Sequence, residues 1–194
     1  MRKRKGSFMV TKMGIHFYHL DPRPEDICIE DIAHSLANIC RFGGHTRRFY
    51  SVAQHCVMVS RHVEIIGGDI EAQMWGLLHD ASEAYVGDMV RPLKDSQPSF
   101  KAAEKAIHAC VKKAFGIRPL KRAEDIVHKA DNIMMITEAR DFMGSPEWVK
   151  NFSEKPLPAP ILAYSHYQSR FAFLARFAEL RKKMANYRGL NAAA

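Results

Sequence analysis

The sequence predicts an all-α fold in a single domain, and three observations carry that prediction. Apolar residues recur three and four positions apart through most of the chain, the spacing that gives a helix one buried face. Strand-type alternation is almost absent. The chain has 194 residues, enough for one domain that buries about 70% of its unfolded surface and needs no disulfide or structural metal to hold a core. A composition of 47% apolar and 26% charged residues excludes wholesale disorder.

In chain order, residues 1–14 open on Arg2, Lys3, Arg4 and Lys5 and are expected to form a flexible basic tail ahead of a domain spanning 15–190. Residues 15–20 read as a strand or an extended arm, after which Pro22 and Pro24 interrupt any helix. A first helix is expected over 26–40, because Ile29, Ile32, Leu36 and Ile39 share a face. The paired Gly43 and Gly44 make 41–45 a loop. Ser51 is placed to cap a helix carrying Val52, His55, Val59 and His62, which stops at Gly67-Gly68. Asp69 is placed to cap the next, over 70–85, which stops at Gly87. Pro92 and Pro98 bracket a loop. Further helices are expected at 100–115, 121–143 and 160–188, and the connection over 145–160, with four prolines, reads as a structured loop. The total is six or seven helices.

The charge balance is 29 basic minus 21 acidic residues, or +8. Removing the four basic residues of the tail leaves +4, an excess that suits anions in general, whether nucleic acid, anionic lipid or a phosphorylated small molecule. A stable nucleic-acid partner is not expected, since there is no recognisable binding motif and no interleaved aromatic-basic stripe. No stretch approaches 18 uncharged apolar residues, and no apolar run follows the basic start, so a cytoplasmic protein without a membrane partner is expected. Cys28, Cys40, Cys56 and Cys110 form no C-x-x-C pair and read as reduced thiols.

Chemistry concentrates in Trp75-Gly76-Leu77-Leu78-His79-Asp80-Ala81-Ser82-Glu83-Ala84. An adjacent His-Asp pair after an apolar helical run puts two strong ligands near the interior, where an isolated carboxylate is costly unless something pairs with it. Taken alone, such a pair is more often a helix-end Asp beside a satisfied histidine. Its company changes the reading. His55 lies on the inward Val52/Val59 face of the preceding helix, and Asp131 lies between Val127 and Met134 at helical spacing. Three helices thus each present ligand-type residues on an apolar face, and imidazole plus carboxylate suits a divalent first-row metal. Four protein ligands on a six-coordinate ion leave positions for water and substrate, as a catalytic site requires. Glu83 lies one helical turn beyond His79 and Asp80, placed to orient or deprotonate a water. Asp88, in the turn at Gly87, is a second proton-transfer group or a ligand for an additional ion.

The order His55, His79-Asp80, Asp131 resembles the HD-domain metal-dependent phosphohydrolases, an all-helical superfamily. Arg41-Phe42, the run Ser51 to His55, the run His79 to Glu83, and the run Gly87 to Lys94 are similar to the 5′-deoxynucleotidase (YfbR-like) branch and to the phage-type dATP triphosphohydrolases. The likeness spans roughly 26–140. It implies that His55, His79, Asp80 and Asp131 bind one or more divalent ions (cobalt, manganese or zinc). It implies that Glu83 and Asp88 position water and manage protons, and that Arg41, Phe42 and Lys94 contact substrate. Guanidinium suits phosphate because its fork binds two oxygens at once. The implied reaction is hydrolysis of a deoxynucleotide, with adenine nucleotides the favoured substrates, at the phosphorus bonded to the 5′ oxygen. The products are a deoxynucleoside and phosphate or polyphosphate. A homo-oligomer is also implied, in the cytoplasm, or in the host's if the gene is carried by a phage. Two departures stand out: Phe42 replaces a Trp that packs near the sugar, and Gln54 replaces a Glu before the ligand histidine. The alternatives are an HD-type hydrolase of a cyclic or signalling nucleotide, and a non-catalytic nucleic-acid-binding protein.

Overall fold

The computed structural model describes residues 4–192 and is a helical array. Among the described residues eight α-helices follow in order: α1 Ile29–Asn38, α2 Val52–Ile65, α3 Ile70–Leu78, α4 Glu83–Val86, α5 Arg91–Asp95, α6 Pro98–Phe115, α7 Lys121–Glu138 and α8 His166–Ala192. The one sheet among the described residues is a two-stranded antiparallel pair, β1 Met9–Val10 and β2 His16–Phe17, with Met9 opposite Phe17. Among the described residues no helix is long and apolar enough to cross a membrane.

The start of the chain differs from the expected free tail. Arg2 and Lys3 lie outside the described residues, but Arg4 holds Asp26 at 2.6 Å and Asp21 at 3.1 Å. β1 then pairs with β2, and the Met13 N–H donates to Asp31 on α1 at 2.8 Å. Residues 4–14 are therefore tied to the helical body.

Capping follows the sequence closely. The Ser51 hydroxyl accepts from the Gln54 N–H and starts α2, while the Asp69 carboxylate accepts from the Ala72 N–H and starts α3. An antiparallel bridge between Cys40 and Ser51 closes the intervening loop, with the Arg41 N–H donating to the Tyr50 carbonyl at 2.9 Å. This bridge fixes Arg41 beside the start of α2.

The helix expected over 70–85 is broken. Between α3 and α4 the backbone is wound more tightly, with Ala81 N–H bonded to Leu78 O, Glu83 N–H to Asp80 O, and Tyr85 N–H to Ser82 O. Such winding has about three residues per turn and eclipses positions i and i+3. Asp80 and Glu83 consequently line the same cleft. The expected 92–98 loop instead contains α5, because Pro92 falls in the first turn, where its missing N–H costs nothing.

The helix expected over 121–143 ends at Glu138 and widens into a π turn over Ala139–Met143. The helix expected from 160 begins only at His166. Arg140 donates to the carbonyls of Leu157 and Ala159, and Asp141 accepts from the Ile161 N–H at 2.8 Å, which holds that connection extended.

Two apolar clusters form the core. One joins Leu36, Val52, Cys56, Leu77, Leu78 and Phe173; the other joins Tyr50, Val59, Val63, Trp75 and Met134. Close approach of α2 and α3 depends on Gly76, where a Cβ would meet the Ser60 Cα at 3.3 Å. Buried Arg176 fastens α8 to both helices, donating to Ser60 Oγ at 3.0 Å and Gln73 Oε1 at 3.1 Å and pairing with Glu64 at 2.9 Å.

Candidate metal centre

The tight α2–α3 packing brings two imidazoles together, their rings inclined at 54°. Nε2 of His55 lies 3.4 Å from Nε2 of His79. Each ring is oriented from behind through Nδ1. The His79 Nδ1 lies 2.9 Å from the Gly76 carbonyl, and the His55 Nδ1 lies 2.7 Å from the Glu138 carboxylate. Both partners only accept, so in the neutral form of each ring, the form that binds a metal, Nδ1 carries the proton and Nε2 turns its lone pair towards the same space.

Carboxylate oxygens close the other sides. Asp80 Oδ2 lies 3.6 Å from His55 Nε2 and 3.4 Å from His79 Nε2. Asp131 Oδ1, from α7, lies 3.2 Å and 3.9 Å from the same two nitrogens. His55, His79 and Asp80 present ligand atoms within 4.8 Å of one another, a group able to hold a metal ion. The chemistry of the donor set fits a cation: two ring nitrogens and two carboxylates share one small space.

The electrostatics point the same way. Burial and Arg41 oppose a charge on His55, but Glu138 and Asp131 prevail and raise its pKa to about 9. Burial works against ionised Asp80 and Asp131, yet the neighbouring histidines and Arg41 hold both carboxyls below the usual range. The carboxylates thus draw positive charge to the point where the Nε2 atoms meet.

Arg41 and Glu138 form the floor. Arg41 is 9% exposed, and its Nε and Nη2 reach Glu138 Oε2 at 3.3 Å and 3.2 Å, while Nη1 lies 3.7 Å from Asp80 Oδ2. Glu138 is fully buried, and its other oxygen also accepts from the Tyr50 hydroxyl at 3.0 Å. One carboxylate therefore holds a metal-ligand candidate and a phosphate-binding candidate together. Sequence reasoning missed Glu138 and Tyr50. A signal for Glu138 existed, since it follows Asp131 by two turns on the same face of α7.

The centre opens into a cleft of about 740 Å³, within the range of small-molecule sites. Arg41, Phe42, Asp80, Glu83, Asp88, Lys94 and Asp131 all line it. Glu83 is 6% exposed and its Oε2 is buried without a hydrogen-bond partner. Burial first, then Asp80 and Asp88, push its pKa well above the usual range. Burial also raises Asp88, against the pull of Arg41. Lys94, on α5, pairs with Glu104 of α6, so its ammonium stands at the cleft edge with one carboxylate already beside it. Gln54 ties α2 to the segment before α8, its amide donating to the Leu162 carbonyl at 2.7 Å and accepting from the Tyr164 N–H at 2.8 Å. Cys56 is buried below the centre, where burial pushes its thiol up. The cleft wall also includes Trp148 and Phe152, which the sequence did not single out.

No family model matches the chain. It is similar to the uncharacterized protein YfdR of Escherichia coli (strain K12), with 41% identity over 187 residues, covering 91% of this chain and 98% of that protein. It is also similar to an uncharacterized protein of Rhodobacter capsulatus, 36% identical over 139 residues, covering 66% of this chain and 69% of the other. Near-complete coverage at that identity means that the chain belongs to the same family as YfdR.

Proposed function

We propose that this chain is a metal-dependent phosphohydrolase of the HD-domain type, cleaving deoxynucleotides at the phosphorus bonded to the 5′ oxygen. The observation that carries the reading is the convergence of His55 Nε2, His79 Nε2, Asp80 Oδ2 and Asp131 Oδ1 at the end of a cleft that also holds Arg41. Arg41 supplies a guanidinium 3.7 Å from Asp80, fixed in direction by Glu138, where it can hold phosphoryl oxygens as charge grows on them.

A divalent cation held by the four side chains would polarise a phosphoryl oxygen and make a water a better nucleophile near neutral pH. Glu83, buried with one carboxyl oxygen unpaired, aims that water by hydrogen bonding. Asp88, on the same cleft wall, receives or returns the proton. Lys94 adds positive charge at the rim. The deoxynucleoside departs through its 5′ oxygen with phosphate or a polyphosphate as the second product. Attack at that phosphorus serves mono-, di- and triphosphates alike, because only the room for the tail changes.

The test is product analysis on metal-stripped protein reloaded with cobalt, manganese or zinc. It would be given dAMP, dADP, dATP, the other deoxynucleotides and their ribose counterparts. Release of free deoxynucleoside is expected. A reloaded protein that turns over none of these compounds would overturn the reading.

A further inference from the structure

The cleft has a second feature that metal chemistry does not use. From Arg41 outward, three aromatic rings follow in contact. The Arg41 guanidinium carbon lies 5.3 Å from the centre of the Phe42 ring. The Phe42 and Trp148 rings are 6.2 Å apart and inclined at 36°, and Trp148 meets Phe152 at 6.2 Å, near edge-on at 75°. All three rings line the cleft, are half-buried, and belong to neither apolar core. A packing role would have drawn them into a core, where each would remove more apolar surface from water.

Phe42 is also held at some cost. Its φ of 56° and ψ of 32° lie in the left-handed region, which non-glycine residues seldom adopt. Strain of this kind persists where the surrounding structure imposes it, and it clusters at binding sites. Here it sets the ring between the guanidinium and Trp148. A ligand spanning this strip needs an anion at the Arg41 end and a flat, polarisable ring at the Trp148 end.

We infer that Trp148, backed by Phe42, is the wall on which the base of the substrate stacks, and so sets the preference for nucleotides over other phosphate esters. The inference rests on the phosphohydrolase reading above. Base–aromatic stacking is tolerant of base identity because every base has a π face; the wall therefore selects for a base as such, more strongly for the larger purine face.

The test uses cobalt-loaded full-length protein with dAMP and with 2-deoxyribose 5-phosphate, which has the sugar and phosphate but no base. The chain has two tryptophans, and Trp75 is buried in the core at 8% exposure, so ligand-dependent quenching reports on Trp148. Quenching by dAMP but not by the sugar phosphate is expected. In Trp148→Ala, the ratio of kcat/KM for dAMP to that for the sugar phosphate should fall roughly tenfold or more, and Trp148→Phe should restore most of it. Equal losses on both substrates, or turnover of dAMP without quenching, would overturn the wall and leave the phosphohydrolase reading standing. Hydrolysis of neither compound would overturn both.

Discussion

Glu138 Oε1 lies 2.7 Å from Nδ1 of His55, so one buried carboxylate decides which nitrogen of that ring faces the metal centre. Its second oxygen holds Arg41, which makes Glu138 the link between a candidate metal ligand and the candidate phosphate-binding residue.

Replacing Glu138 with Gln keeps the shape but supplies only one acceptor oxygen, and its NH2 group faces either the Arg41 guanidinium or the His55 Nδ1–H. Metal affinity is expected to fall about 10–100-fold, the usual effect of losing a group that orients a ligand histidine. Competition titration with a chelator measures this. Unchanged affinity would show that the ring is held without the carboxylate.

Phe42 offers a test of stored strain. At its positive φ, Phe42→Gly should be more stable than Phe42→Ala by about 1 kcal/mol, the reverse of the usual order for these residues. Both variants lose the ring equally, so their difference isolates the backbone. Urea denaturation decides it, and an Ala variant as stable as the Gly variant would remove the strain argument.

His108 gives a pH signature. Burial is the main reason its pKa is lowered to about 4, and its Nε2 lies 2.7 Å from Ser82 Oγ. Between the unfolded value near 6.5 and the folded value, the unfolded chain binds a proton that the folded chain refuses. The ring therefore costs nothing above about pH 6.5, and stability declines as pH falls from there towards 4. His108→Gln, which retains an acceptor but does not titrate, should recover about 2 kcal/mol of that decline, less than the full shift because the ring is partly exposed. Parallel stability curves for the two proteins would contradict the assignment.

Much of the architecture was legible because it follows from local rules. The apolar spacing of Ile32 and Leu36 buries α1, and Ser51 and Asp69 cap the helices that carry His55 and lead to His79. His55, His79 and Asp80, the group able to hold a metal ion, could be singled out because His55 sits on the buried face of α2 and the His-Asp pair directly follows the apolar run of α3. The features that escaped depend on contacts between distant segments. The break after α3 leaves no mark in apolar periodicity, since His79 and Ser82 keep right-handed helical backbone angles. Trp148 lines the cleft from a short turn over Glu147–Asn151, inside a connection that carries no apolar periodicity to mark it. Arg4 looked like part of a free basic tail because its partners, Asp21 and Asp26, lie beyond the first strand pair.

The central claim is that one cation, bound by His55, His79, Asp80 and Asp131, is required for cleavage of a deoxynucleotide. It is tested most directly by measuring bound metal and released deoxynucleoside in the same samples of wild type, Asp80→Ala and His79→Ala, with folding checked by circular dichroism. The account predicts that both variants stay folded and lose metal and turnover together, with activity falling at least about a thousandfold on loss of metal-assisted chemistry worth several kcal/mol. Turnover at the wild-type rate in both variants, or a wild type that binds metal yet releases no deoxynucleoside, would contradict it.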